Sequence, residues 1–157
     1  MTTRIPFPIR IPFVERLGLE LHGFGGGKAE LRVDLDESLT NSWEVAHGGV
    51  LMTMLDVAMA HAARSAHSHD PVRARGVATI EMKTSFMRPA EGRLRALGEL
   101  LHGTATMAFC EAKVIDEHGH ICAHATGTFK YLKGLPTKGG ITRNTPNDAP
   151  STESDPS

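Results

Sequence analysis

Residues 46–56 read AHGGVLMTMLD, so two glycines open an apolar run that a single carboxylate, Asp56, interrupts. Glycine is roughly 1 kcal/mol poorer than alanine inside a helix, and a carboxylate on a buried helix loses its hydration. Both choices oppose stability, and chemistry is one reason to make them. The first turn of a helix leaves its N–H groups unpaired and carries the positive end of the helix dipole, which suits it to hold developing negative charge. Glycine at that turn lets a carbonyl oxygen come close. One such N–H, together with a carboxylate acting as nucleophile or base, is a minimal set for acyl transfer without a serine or cysteine nucleophile. Thioesters suit this set, because a thiolate leaves without strong acid assistance.

The face centred on Asp56 carries Gly49, Thr53 and Ala60, all small. A small face also serves a tight helix contact, within the fold or across a dimer, and spacing alone leaves both readings open. Reach adds a constraint. Gly48 and Asp56 stand eight positions apart in the sequence, which is about 12 Å along one helix at roughly 1.5 Å per residue. One carbonyl carbon cannot touch both. If both act on one bond, two antiparallel helices lie side by side, Gly48 of one chain meeting Asp56 of the other, as a two-fold interface arranges automatically.

The elements that must position these residues follow from periodicity. Leu51, Met54, Leu55, Ala58, Met59 and Ala62 recur at helical spacing, which predicts one long amphipathic helix from Gly48 to about Ser65. Before it, IPFVERLG is expected to form a short helix opened by Pro12, and LELHGFGGGKAELRVDL a bent strand or hairpin. The three glycines at 25–27 lack the Lys-Ser/Thr and helix of a phosphate loop, so a turn or bulge is expected there. After the loop AHSHDPVRAR come four strand-like segments, GVATIEMKTSFM, GRLRALGELLHG, TMAFCEAKVIDEHG and HICAHATGTFKYL, with turns near 89–92, 103 and 117–119. The fold class is α+β, a helix packed on one curved sheet.

The chain has 157 residues, 40% of them hydrophobic, enough for one ordinary core. We divide it into an N-terminal extension (1–11), one domain (12–133) and a tail (134–157) rich in Pro, Gly, Ser, Thr and Asn, which is expected to be disordered. A formal net charge of −1 with scattered Lys and Arg offers no basic field for nucleic acid or anionic lipid. Arginines and prolines cut the N-terminal apolar runs short of the ~20 residues that span a bilayer, and no signal-peptide pattern is present, so a cytoplasmic protein is expected. Cys110 and Cys122 lie in strand-like segments and read as small buried hydrophobes. His61, His67 and His69 fit no common metal spacing and read as a solvated helix end and loop. No metal or cofactor is expected.

The segments IPFVERLGLEL, LTNSWEVAHGGVLMTMLDVAMAHAA, SFMRPAEGRLRALGEL and ICAHATGTFKYL, in this order, resemble the hotdog-fold acyl-CoA thioesterases of the phenylacetate-degradation (PaaI) type, within the 4-hydroxybenzoyl-CoA thioesterase superfamily. The most specific piece is Asn-x5-His-Gly-Gly-x6-Asp, here Asn41, His47, Gly48, Gly49 and Asp56. The resemblance implies a long helix wrapped by a curved antiparallel sheet, in a homodimer often paired again into a tetramer. It implies Asp56 as catalytic carboxylate and the Gly48 N–H of the opposite subunit as the group that polarises the thioester carbonyl. Gly49 would border the substrate. Asn41 and His47 look like positions that hold the water or the thioester, although Asn41 also suits a turn cap and His47 a loop contact. Thr79 sits where relatives carry a hydroxyl that assists the carboxylate, and is equally an ordinary strand residue. Arg88 and Arg93, with Lys130 or Lys133, are candidates for the phosphates of the acyl-CoA substrate, as well as for a solvated face.

Two other functions compete with this reading. A hotdog module that only binds acyl-CoA as a sensor wants an appended DNA-binding domain, for which a 24-residue tail (134–157) is too short. Hydratase chemistry on the same fold places a catalytic His and an acidic residue at a different spacing.

Overall fold

The structure is a computed structural model that describes residues 3–133, 135–137 and 140–142. A five-residue helix, α1 (Pro12–Arg16), opens on proline, whose missing N–H costs nothing at a first helical position. Strands β1 (Glu20–Gly25) and β2 (Lys28–Asp34) follow as a hairpin. Gly25 pairs with Lys28, leaving Gly26 (φ 61°) and Gly27 (φ 77°) as the two turn residues, both in the left-handed region that this turn requires and glycine enters freely. The glycine triplet is thus a hairpin turn.

A short 3-10 turn (Glu37–Leu39) leads to α2 (Gly48–Ser65), the long helix expected. Strands β3 (Val77–Phe86), β4 (Arg93–Gly103), β5 (Met107–Ile115) and β6 (Ile121–Tyr131) complete a six-stranded antiparallel sheet in the order β1-β2-β4-β5-β6-β3. The strand that leaves α2 therefore crosses to the far edge. Within the segment expected to be a disordered tail, β7 (Leu135–Thr137) and β8 (Gly140–Thr142) pair with each other. Positions 134, 138–139 and 143–157 lie outside the described residues.

Strict alternation along β5 buries Ala108, Cys110, Ala112 and Val114 toward the helix. Leu31, Leu94, Ala96, Ala125 and Phe129 join them from neighbouring strands, and Met54, Leu55, Ala58, Met59 and Ala62 close the core from α2. The many alanines let helix and sheet approach closely. Gly98 is the tightest point, for a Cβ there would stand 2.6 Å from the carbonyl carbon of Ala58 and 3.0 Å from Met59 N.

Both cysteines are free and buried, and burial pushes the Cys110 thiol up to about 12. His61 corrects the expectation of a solvated helix end. It is only 4% exposed, because the stripe Met54–Ala58–His61–Ser65 continues the core face to the end of the helix. Its Nδ1 donates to Val57 O at 2.8 Å, and burial lowers its pKa to about 4, so the ring is neutral. His67 and His69 are exposed, as expected. No described helix is long and apolar enough to cross a membrane.

The two sheet edges differ. Ile5 bridges to Leu21 and covers part of β1, whereas β3 leaves both faces incompletely covered, with Ile80 55% and Phe86 53% exposed. An open edge strand presents unpaired N–H and C=O groups to a further strand.

Candidate active site

The start of α2 is held by its own flanking loop. Thr40 bridges to Ala46, His47 N donates to Leu39 O at 2.9 Å, and Asn41 N donates to Val45 O at 2.9 Å. Asn41 Oδ1 accepts from Trp43 N at 2.9 Å, so the side-chain carbonyl of Asn41 is turned into its own loop, as an Asx turn. The next residue but two, Glu44, has φ 62°, a left-handed conformation that strains a non-glycine residue. His47 is the helix N-cap, in extended backbone (φ −61°, ψ 137°), and its Nδ1 accepts from Gly49 N at 2.9 Å. A ring nitrogen that accepts leaves the other, Nε2, to carry the proton in the neutral imidazole.

This capping sorts the donors of the first turn. Val50 and Leu51 N–H groups reach His47 O at 2.9 and 3.3 Å, and the Gly49 N–H is taken by the His47 ring. Among the described residues, the Gly48 N–H donates no hydrogen bond. It is the unused donor at the positive end of an 18-residue helix. The Phe86 ring lies beside it, with Cε1 3.5 Å from where a Gly48 Cβ would be.

Two turns further, Asp56 is half-buried and accepts from Thr79 Oγ1 at 2.7 Å. Burial drives the Asp56 carboxyl above the ordinary aspartate value, and the Thr79 hydrogen bond opposes this. Thr79 reaches Asp56 from β3, where it pairs with Phe129 just before a bulge that leaves Ile80 as the extra residue. Thr53, one turn before Asp56, spends its hydroxyl on Gly49 O at 2.8 Å. On α2, Gly49, Thr53, Asp56 and Ala60 are all at least partly open, while most other positions are buried. The small face is therefore not consumed by packing within the chain.

Asp56 and Thr79 line an open groove of about 450 Å³, walled by Phe13 and Val14 of α1, Met52 and Val57 of α2, and Met82 of β3. A second recess of about 290 Å³ borders His47 and Gly49, and Phe13 lines this one too. The contribution of α1 was not anticipated; its only signal was the apolar stretch IPFV. A further depression of about 750 Å³ lies on the strands and contains neither Asp56 nor Gly48.

The structure brings together Asp56 with Thr79, and His47 with Gly48 and Gly49, but keeps the two groups at opposite ends of two helical turns. Arg88 and Arg93 line neither recess. Arg88 donates to Ile121 O at 2.8 Å, and Arg93 is paired with Asp34 at 2.7 Å. Lys130 and Lys133 are exposed.

Comparison with known proteins places these residues in a wider set. The sequence model described as the thioesterase superfamily matches residues 44–123, which include Glu44, the α2 site residues and β3 to β5. A Salmonella typhimurium protein named medium/long-chain acyl-CoA thioesterase is 29% identical over 135 residues, spanning 78% of this chain and 87% of the relative. The structure of a conserved Pseudomonas aeruginosa protein superposes with a TM-score of 0.73 at 31% identity, over 80% of this chain and 97% of that one. The E. coli PaaI protein of the phenylacetic acid degradation operon shares the fold at a TM-score of 0.71 and 18% identity, over 84% of this chain and 88% of that one.

Proposed function

That the chain belongs to the thioesterase superfamily, in the hotdog fold, is the premise from which we propose that it hydrolyses an acyl-CoA thioester to the free acid and CoA, with each active site shared between two copies of the chain. The observation that carries this reading is a half-buried carboxylate, Asp56, held by Thr79 on the open face of the same helix whose first N–H, that of Gly48, is unspent. The Salmonella relative, named an acyl-CoA thioesterase, supports the substrate class.

In this reading the thioester carbonyl oxygen sits on the Gly48 N–H of one copy. Asp56 of the other takes a proton from the attacking water. Water oxygen bonds to the carbonyl carbon, the C–S bond breaks, and the sulfur leaves as thiolate, which takes up a proton to give the free thiol of CoA. A carboxyl raised toward neutrality by burial is a stronger base than an exposed aspartate. Thr79 positions it. The His47 ring takes the Gly49 N–H and leaves that of Gly48 free, so the substrate oxygen has one aligned donor at the helix start.

The shared site follows from reach. Two positions about 12 Å apart on one helix cannot serve one carbonyl carbon, and an antiparallel second helix supplies the missing half. The uncovered β3 edge, with Ile80 and Phe86 exposed, together with Met52 (40% exposed) on α2, is the surface such a partner would cover. Asp56→Asn keeps the shape of the side chain but cannot accept the proton. We expect it to fold and bind substrate while losing at least about a hundredfold in kcat; near-normal hydrolysis by this variant would refute the role of Asp56.

A further inference from the structure

We propose that α1 is the acyl-selecting wall of the site, with Phe13 as its specificity-determining residue for long, uncharged acyl groups. This rests on the hydrolytic reading above but concerns a segment that precedes the family match at residues 44–123. The groove that contains Asp56 takes Ile11, Phe13 and Val14 from the α1 region, and Met52, Val57 and Met82 from α2 and β3. All six are apolar. Val14 and Val57 are buried, whereas Phe13 is 60% exposed and Met52 40% exposed. An exposed phenyl ring at the rim of an apolar groove gains most when an apolar ligand lies against it.

The polar groups of the groove point to the same class of ligand. Only Thr53, Asp56 and Thr79 carry polar side chains there. The Thr53 hydroxyl donates to Gly49 O at 2.8 Å and the Thr79 hydroxyl donates to Asp56 at 2.7 Å. No side-chain donor lining the groove is left for a carboxylate on the acyl group, and that carboxylate would also face Asp56, so a charged acyl group would lose water without compensation. The two methionines add an adaptable surface that fits chains of different length rather than one rigid ring. α1 packs on the body through its buried Val14, with Ile11 and Leu17 on either side packed against the core.

The test compares butanoyl-, hexanoyl-, octanoyl- and decanoyl-CoA as substrates of the wild-type protein, Phe13→Ala and Phe13→Leu. Wild-type kcat/KM is expected to rise about fourfold per methylene while the chain remains in the groove. Phe13→Ala is expected to lower the decanoyl-to-butanoyl ratio of kcat/KM by about tenfold or more, through KM. Phe13→Leu keeps part of the wall and should fall between. With 60% of Phe13 exposed, the variants should fold, as a melting curve would show. Equal losses at every chain length would place Phe13 on the CoA arm or in the fold and overturn the proposal. So would a flat wild-type profile, or a change in oligomeric state in Phe13→Ala by light scattering. Absence of turnover with any acyl-CoA would instead overturn the hydrolytic reading itself, and this proposal with it.

Discussion

Thr79 Oγ1 lies 2.7 Å from Asp56 Oδ1, and this hydrogen bond ties the open edge strand β3 to the middle of α2. The two residues are 23 apart in sequence. The bond favours the charged form of a carboxyl that burial pushes the other way.

Thr79→Val removes the hydroxyl while keeping the β-branched shape. The Asp56 pKa then rises further, because the opposing interaction is gone. A base must be deprotonated to act, so activity is lost as pH falls through its pKa. The acidic limb of the kcat/KM profile should therefore move to higher pH in Thr79→Val, with a loss of about tenfold in kcat from poorer positioning, and Thr79→Ser should restore both. An unmoved pH profile would show that Thr79 is only a strand residue.

Gly98 sets the distance between sheet and helix. Alanine there would press its Cβ against the Ala58 carbonyl and Met59 N, which are backbone atoms and cannot rotate away. We expect Gly98→Ala to cost about 3 kcal/mol, at the upper end for overpacking, and to lower activity as well, since Ala58 is two residues from Asp56. Urea denaturation measures the first effect. A midpoint equal to wild type would mean that the helix shifts without cost.

The helix and its open small face were legible because both obey one period. The stripe from Leu51 to Ala62, the small face around Asp56 and the glycines at the start are all local facts. What was not legible depends on contacts between distant positions. That Thr79 stands beside Asp56 came from the family resemblance and not from alternation, which does not announce the bulge at Ile80. Arg93 pairs with Asp34 across 59 residues, which its position beside a turn does not reveal. His61 looked like part of a polar helix end because its sequence neighbours after Arg64 are polar, yet its helical neighbours three and four positions back belong to the core. The groove under α1 needs three elements to close, and each alone reads as an ordinary apolar segment.

The central claim is that Gly48 and Asp56 act on one thioester from different chains, and mixed dimers test it most directly. Asp56→Ala removes the carboxylate. Gly48→Pro removes the free N–H at little structural cost, since Gly48 is the first helical residue, His47 before it is already extended, and a Cβ at Gly48 makes only an ordinary contact with Phe86. Each variant alone should be inactive, because every site has one defect. After the two are unfolded and refolded together in equal amounts, about half of the dimers should be mixed, each with one intact and one doubly defective site. The account predicts that activity returns to about one quarter of wild type. An inactive mixture, with mixed dimers shown to be present, would contradict it.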